Sequence, residues 1–247
     1  MIGFQILDQI LRGEDPRTTA PDGTRTFPIG VLLRVNLLLA ASYGVCMGVY
    51  GLFRPVDPEF RQMISSAIKL PALFGLTLVV TFPSLYVFNT LLGSRARFGE
   101  LLALIVAGLS VLVCVLAAFG PIVAFFSVST TSYPFILLLN VAVLALAGTF
   151  GAGYLHRALT QTAPVVNPPS PTPTDSALPV ARVVPYTNPA NSVFYIWMLV
   201  FGLVGGQMSW VLRPFVGSPN MPFAWFRPRE GSFFEGVMQS LRAIIGG

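Results

Sequence analysis

The sequence predicts an all-α integral membrane bundle of five transmembrane helices, with short amphipathic interfacial helices at both ends. Of the 247 residues, 54% are hydrophobic and only 10% are charged, whereas a soluble domain carries about 25% charged residues. Five apolar runs are each long enough to cross a bilayer as a helix. The charged residues lie mostly between these runs, so most of the folded surface is expected to face lipid rather than water.

The N-terminal segment, residues 1–30, combines an amphipathic stretch with a loop. Apolar and polar residues alternate at helical spacing over residues 2–12, which predicts a short helix lying at the membrane interface. The Gly, Pro, Thr and Asp residues at 13–28 are typical of a loop. The segment lacks the charge and apolar pattern of a cleavable signal peptide, so the first span is expected to insert uncleaved.

Residues 31–157 hold the first four predicted spans, and a polar connection separates the first two. Span one is expected at 31–53, span two at 70–92, span three at 98–120 and span four at 134–155. The polar connection at 54–69 can form a short helix before Lys69. The dipeptide Gly120-Pro121 predicts the end of span three. The uncharged stretch after it is expected to form a shallow interfacial turn.

A proline-rich segment at 158–190 is predicted to be a disordered linker before span five. Its composition of Pro, Ser, Thr and Ala, with very few charges, is typical of an extended chain without a packed core. Span five follows at 191–213. The remaining residues, 214–247, are predicted to form an aromatic interfacial segment and then an amphipathic helix.

Span five carries a stripe of small residues that ends in a cation. Gly202, Gly206, Ser209 and Arg213 fall on one helical face, where small side chains allow another helix backbone to approach closely. Trp210 and the aromatic residues that follow are expected to form a belt at the level of the lipid headgroups. Spans one and three carry similar small-residue stripes. The pattern favours helix–helix contacts within the membrane.

Three neutral amides remain inside the predicted spans: Asn89, Asn140 and Gln207. An amide in hydrocarbon requires a hydrogen-bond partner, and helix–helix bonds of this kind contribute roughly 0.6–2 kcal/mol. These residues are expected either to join helices of the bundle or to line a small polar cavity. The sequence leaves both interpretations open.

The distribution of chemically reactive residues excludes several classes of function. All ten acidic residues lie outside the spans or at their edges, which disfavours a proton-coupled pump or a cation transporter. His156 is the single histidine, and Cys46 and Cys114 lie in separate spans, so no metal-ligand cluster or catalytic triad is predicted. We therefore expect no cofactor and no enzymatic activity. The net charge of +5 matches anionic lipid headgroups better than nucleic acid.

Short motifs give the chain a resemblance to known membrane proteins. Ile68-Lys69-Leu70-Pro71 leads into span two, which contains Phe82-Pro83-Ser84-Leu85-Tyr86-Val87-Phe88-Asn89. With five spans after a polar N-terminus, the layout resembles the Yip1-type five-span membrane proteins. It is more closely similar to uncharacterised bacterial integral membrane proteins that share Ser-Trp-x-Leu-Arg-Pro-Phe, here at 209–215, and Gly-Ser-Pro, here at 217–219. The resemblance covers about residues 30–235. It implies a non-catalytic membrane organiser or adaptor, here a multi-pass protein of the bacterial inner membrane.

We therefore predict a non-enzymatic membrane scaffold or accessory subunit that acts through helix–helix contacts with itself or another membrane protein. The alternative is a channel or transporter for a small neutral or anionic solute, and an enzyme acting on lipid is a third. The expected partners are the lipid bilayer and a membrane protein or second copy, with no nucleic acid. The candidate interface or polar-cavity residues are Asn89, Asn140, Gly202, Gly206, Gln207, Ser209, Trp210 and Arg213.

Overall fold

The computed structural model describes residues 2–14, 18–19, 25–53, 60–91, 98–161, 189–217, 221–228 and 231–246. The helices are α1 (Ile2–Arg12), α2 (Ile29–Gly48), α3 (Phe60–Leu91), α4 (Phe98–Ser129), α5 (Tyr133–Gln161), α6 (Pro189–Val211) and α7 (Phe233–Ile245). A 3-10 turn, Val49–Gly51, extends α2, and the two-residue strands β1 (Thr18–Thr19) and β2 (Arg25–Thr26) pair antiparallel. The predicted all-α class is confirmed.

Four of these helices are long and apolar enough to cross a membrane. The candidate spans are Ile29–Gly51, Phe60–Phe88, Phe98–Ser129 and Tyr133–Ala158. They correspond to the first four spans expected from the sequence, and they indicate a multi-pass membrane protein. In α6 the apolar stretch within the described residues is shorter, Tyr195–Val211.

The helices are arranged around α2, which packs against both α3 and α4. Helix α5 also packs on α4, α6 packs on α3, and α7 lies against α5 and α6. Helices α2 and α3 approach at Gly44 and Gly48, where an added Cβ would overlap the backbone of Ser66 and Met63. Glycine is therefore required for this close packing. The contact brings the N-terminal half of α3 beside the C-terminal half of α2.

The second half of the polar connection at 54–69 is helical, but it is continuous with span two rather than a separate short helix. Helix α3 begins at Phe60 and runs without a break into the apolar span. Its first turns hold Gln62, Ser66 and Lys69 at helical spacing, and these polar side chains are buried in the protein. Because they find partners inside the fold, they extend the helix of span two.

The predicted end of span three at Gly120-Pro121 is wrong. Helix α4 continues through Pro121 to Ser129, and only residues 130–132 separate it from α5. Proline removes one backbone donor and disfavours a helix interior. Here Val123, two residues later, is fully buried in the bundle, and Gly120 lies against Cys46 of α2. Packing on both sides of the proline therefore outweighs its local preference.

The predicted linker lies mostly outside the described residues. Residues 158–161 belong to the end of α5, and residues 189–190 belong to the start of α6. The intervening stretch, 162–188, is not among the described residues. Its disorder stays a prediction.

Candidate interaction surfaces

A row of three polar side chains on α3 binds the backbone that follows α6. Gln62, Ser66 and Lys69 lie at i, i+4 and i+7 and are 1%, 0% and 3% exposed. Gln62 Nε2 donates to the carbonyls of Pro214 at 3.2 Å and Phe215 at 2.7 Å. Ser66 Oγ also donates to the Phe215 carbonyl, and Lys69 Nζ donates to the Pro214 carbonyl at 3.1 Å. The backbone carbonyls of the irregular segment that follows α6 are therefore bound by side chains of α3.

Lys69 also holds a second part of the chain. Its ammonium donates to the carbonyl of Trp225 and lies 5.1 Å from the ring centroid of Phe226. The salt bridge between Arg12 and Asp8 lies far from this site in the sequence. The Lys69 charge is thus stabilised here by two carbonyl dipoles and an aromatic face. We refer to residues 212–217 and 221–228, which these contacts secure to the end of the bundle, as the cap.

The turn at Gly217 completes the first part of the cap. Gly217 has a φ of +79°, a conformation that glycine adopts much more readily than other residues. A Cβ at this position would also lie 3.2 Å from the side chain of Gln62. Both observations require glycine at this turn, which follows the contacts of Phe215 with α3.

The end of α6 is joined to the start of α7 through Trp210 and Arg213. The Arg213 guanidinium lies 4.0 Å from the ring centroid of Trp210, and its Nη2 donates to the carbonyl of Pro228. Trp210 Nε1 donates to the carbonyl of Gly231 at 3.1 Å. Within the described residues the buried Nε of Arg213 has no hydrogen-bond partner. Two of the candidate residues therefore contact each other and fix the chain that leads into α7.

The small-residue stripe of α6 is partly covered by α7. A Cβ added to Gly206 would lie 3.2 Å from the ring of Phe233. Ser209 Oγ donates to the Gly206 carbonyl at 2.6 Å, within the helix. At Gly202, by contrast, an added Cβ would meet no atom within 4 Å. The stripe therefore serves an internal contact at its C-terminal half and is open at Gly202.

A second face of α6 is apolar, exposed and interrupted by one amide. Ile196, Leu199, Leu203 and Gln207 follow one another at i, i+3, i+7 and i+11, and all four are exposed. We call these four residues the outer face of α6. Among the residues described, none hydrogen-bonds the Gln207 side chain. This face packs against nothing in the described part of the chain. Its amide is therefore a candidate contact for a further molecule.

The other two amides do not join Gln207. Asn140 is buried, where its Oδ1 accepts from the hydroxyl of Tyr43 at 2.9 Å and its Nδ2 donates to the Ile136 carbonyl at 2.8 Å. It links α2 to α5 inside the bundle. Asn89 lies on α3, but its side chain is outside the described set. Asn140, Gln207 and Arg213 therefore occupy three separate environments.

Sequence analysis missed the polar row of α3. Its signal was the spacing of Gln62, Ser66 and Lys69, which places three polar residues on one face at the start of an apolar helix. The spacing alone could not reveal the acceptors, because Pro214, Phe215 and Trp225 lie far away in the sequence. The row joins α3 to the segment that follows α6.

No protein-family model, curated protein or solved structure matches this chain. The resemblance to Yip1-type and bacterial five-span proteins therefore stays a prediction. The function is therefore inferred from the contacts and exposed surfaces of the chain itself.

Proposed function

We propose that the protein is a non-enzymatic integral membrane scaffold or accessory subunit that binds a second membrane helix through the outer face of α6. The second helix belongs to another copy of this chain or to another membrane protein. The observation that carries the proposal is Gln207, an exposed amide that no described residue hydrogen-bonds, on an otherwise apolar helical face. The location that fits the resemblance is the bacterial inner membrane.

The proposal includes α6 as a fifth span. Its 23 residues give a length of roughly 34 Å, close to the ~30 Å of a bilayer's hydrocarbon core. Trp197 Nε1 donates to the Thr81 carbonyl at 2.9 Å, and a Cβ on Gly205 would lie 3.6 Å from Thr77. Together with the bonds from Lys69 to the cap, these contacts align α6 antiparallel to α3. A helix that follows α3 over this distance crosses the membrane with it.

The proposal also assigns α1 and α7 to opposite membrane interfaces. Helix α1 buries Ile6, Leu7 and Ile10 and exposes an ion pair between Asp8 and Arg12. It packs near the N-terminal ends of α2 and α4, whereas α7 lies near the cap. Helix α7 begins with a capping box between Ser232 and Glu235 and exposes apolar residues on its outer side. Each helix combines an apolar and a polar face, as interfacial helices do.

The position of Gln207 explains why a second helix would bind there. It lies roughly 9 Å along the helix axis from Arg213, on the hydrocarbon side of the aromatic and cationic end of α6. An amide both donates and accepts, so Gln207 can pair with a polar side chain or with Gln207 of a second copy. The open space at Gly202 permits close approach of the partner backbone.

The channel alternative lacks a shared lining in the described residues. Asn140 is occupied by Tyr43 and Ile136, and Gln207 faces outward. A solute path would require these amides to face one cavity. A flux assay in liposomes still separates the two functions: specific solute flux that disappears in Gln207→Ala would support the channel and overturn the scaffold.

The direct test is photo-crosslinking in native membranes from position 203. Leu203 is 46% exposed on the outer face of α6, and Val79, 69% exposed on α3, is the matched control position. We expect a discrete protein adduct from position 203 and only lipid adducts from position 79. An adduct of twice the protein mass identifies a second copy, and another mass identifies a different subunit.

A substitution then tests the role of the amide. Gln207→Leu should lower the adduct yield from position 203, because an interhelical hydrogen bond of ~0.6–2 kcal/mol corresponds to about 3- to 30-fold in association. Phe150→Leu, on an exposed site of α5, is the control and should leave the yield unchanged. Adduct yields that are equal from positions 203 and 79 would contradict the proposal.

A further inference from the structure

A groove opens between α2, α3 and α4, and its lining includes no residue of the outer face of α6. It has a volume of about 340 Å³ and is lined mainly by apolar side chains, including Leu37, Phe74 and Leu78. This volume lies within the range of roughly 300–1,000 Å³ that is typical of small-molecule sites. Gly75 helps to keep it open, because an added Cβ there would meet no atom within 4 Å.

The groove is polar at one end only. Arg34 is exposed and lines this end, and among the described residues its guanidinium has no hydrogen-bond or ion-pair partner. Asn36 lies beside it and is 5% exposed; its Nδ2 donates to the Val106 carbonyl at 3.4 Å. Its buried Oδ1 has no partner in the described part of the chain. Toward Ala40 and Pro71 the lining carries no charged side chain.

The depth of the polar end fits the membrane interface. Arg34 lies roughly 8 Å along the axis from Ile29, where α2 begins, so its long side chain can reach the phosphate level. From Arg34 to Ala40 the groove follows α2 for roughly 9 Å toward the bilayer centre. The cation at the headgroup level complements the phosphate of a phospholipid, and the apolar groove below it complements an acyl chain.

We infer that the groove binds a phospholipid with an anionic headgroup. One acyl chain lies along Leu37, Phe74 and Gly75, and the phosphate contacts Arg34. The charge of Arg34 favours an anionic headgroup over a zwitterionic one of the same chain length. The groove shares no lining residue with the outer face of α6, so the inference does not depend on the proposed partner helix.

The test is native mass spectrometry of the full chain in detergent, with equal amounts of phosphatidylglycerol and phosphatidylcholine that carry the same acyl chains. We expect wild type to retain one phosphatidylglycerol about fivefold more often than phosphatidylcholine. That ratio corresponds to the ~1 kcal/mol that a basic residue contributes near anionic lipid. Arg34→Gln should bring the ratio close to one without removing the binding of either lipid chain.

A second variant tests the groove itself. Gly75→Leu should fill the open space and reduce the adducts of both lipids, whereas Gly148→Leu, at another helical glycine with no atom within 4 Å, is the control. Lipid adducts that are unchanged in Gly75→Leu would overturn the inference, as would an unchanged headgroup preference in Arg34→Gln. Displacement of both lipids by inorganic phosphate alone would show an anion site without an acyl groove and would also overturn it. Arg34→Gln alters an exposed side chain, so it remains informative if Gly75→Leu fails to fold.

Discussion

Replacing Lys69 by methionine should release the second part of the cap while leaving the bundle folded. Methionine preserves the length and apolar character of the side chain but cannot donate a hydrogen bond. The Pro214 carbonyl would still accept from Gln62 Nε2 at 3.2 Å. The Trp225 carbonyl would lose the donor provided by Lys69, and the Phe226 ring would lose its cation.

The size of the effect follows from these two losses. A hydrogen bond from a charged donor contributes about 1.5–3 kcal/mol, and a cation over an aromatic ring adds about 0.5–1 kcal/mol. The cap at 221–228 should therefore open more easily by roughly 2–4 kcal/mol, or about 30- to 1,000-fold. The free energy of global unfolding should change less, because the variant no longer has to bury an ammonium group.

Hydrogen exchange of the protein in lipid nanodiscs, read by mass spectrometry, measures this local opening. Amides at 221–228 should exchange faster in Lys69→Met, and those of α4 should not. Gln62→Leu is the matched control on the same helical face, because Gln62 contacts Pro214 and Phe215 but not Trp225. It should affect 212–217 more than 221–228. Identical exchange at 221–228 in Lys69→Met and wild type would refute the assigned role of Lys69.

Two further substitutions test contacts inside the bundle by thermal unfolding in detergent. Asn140→Leu should destabilise the protein by about 1–3 kcal/mol, because the buried hydroxyl of Tyr43 loses its acceptor; adding Tyr43→Phe should recover part of that loss, and strictly additive effects would argue against the bond. Gly206→Leu should cost about 1–3 kcal/mol by forcing Phe233 away from α6. Leu203→Ala, on the outer face of α6, should change the free energy of unfolding by less than ~0.5 kcal/mol. Equal losses of stability in Gly206→Leu and Leu203→Ala would exclude a specific contact between Gly206 and α7.

The local patterns were sufficient for the class of the protein and the position of its apolar helices. A continuous apolar run of this length can satisfy its backbone in lipid only as a helix, so composition alone indicates the spans. The four long apolar helices agree with the first four predicted spans to within a few residues at most ends. The glycines of α2 that approach α3 also lay on a small-residue stripe that the spacing made visible.

Local patterns failed where a distant segment supplied the missing partner. Proline and glycine at 120–121 indicate a helix end in an isolated peptide, but packing against α2 continues α4 to Ser129. The polar residues at 60–69 predict a connection with at most a short helix of its own, but they form the first turns of α3. In both cases burial reverses the preference of the residues themselves.

The sequence by itself determined that this chain is an all-α, multi-pass membrane protein and which of its residues could serve contacts between helices. Only the tertiary structure decided how those residues are used. Gly206 packs against α7, Asn140 binds Tyr43 inside the bundle, and Gln207, unlike Asn140, faces outward. The physical reason is that a hydrogen bond or a close contact requires two groups to lie next to each other. Its second member, such as the Trp225 carbonyl for Lys69, is brought near only by the folding of the whole chain.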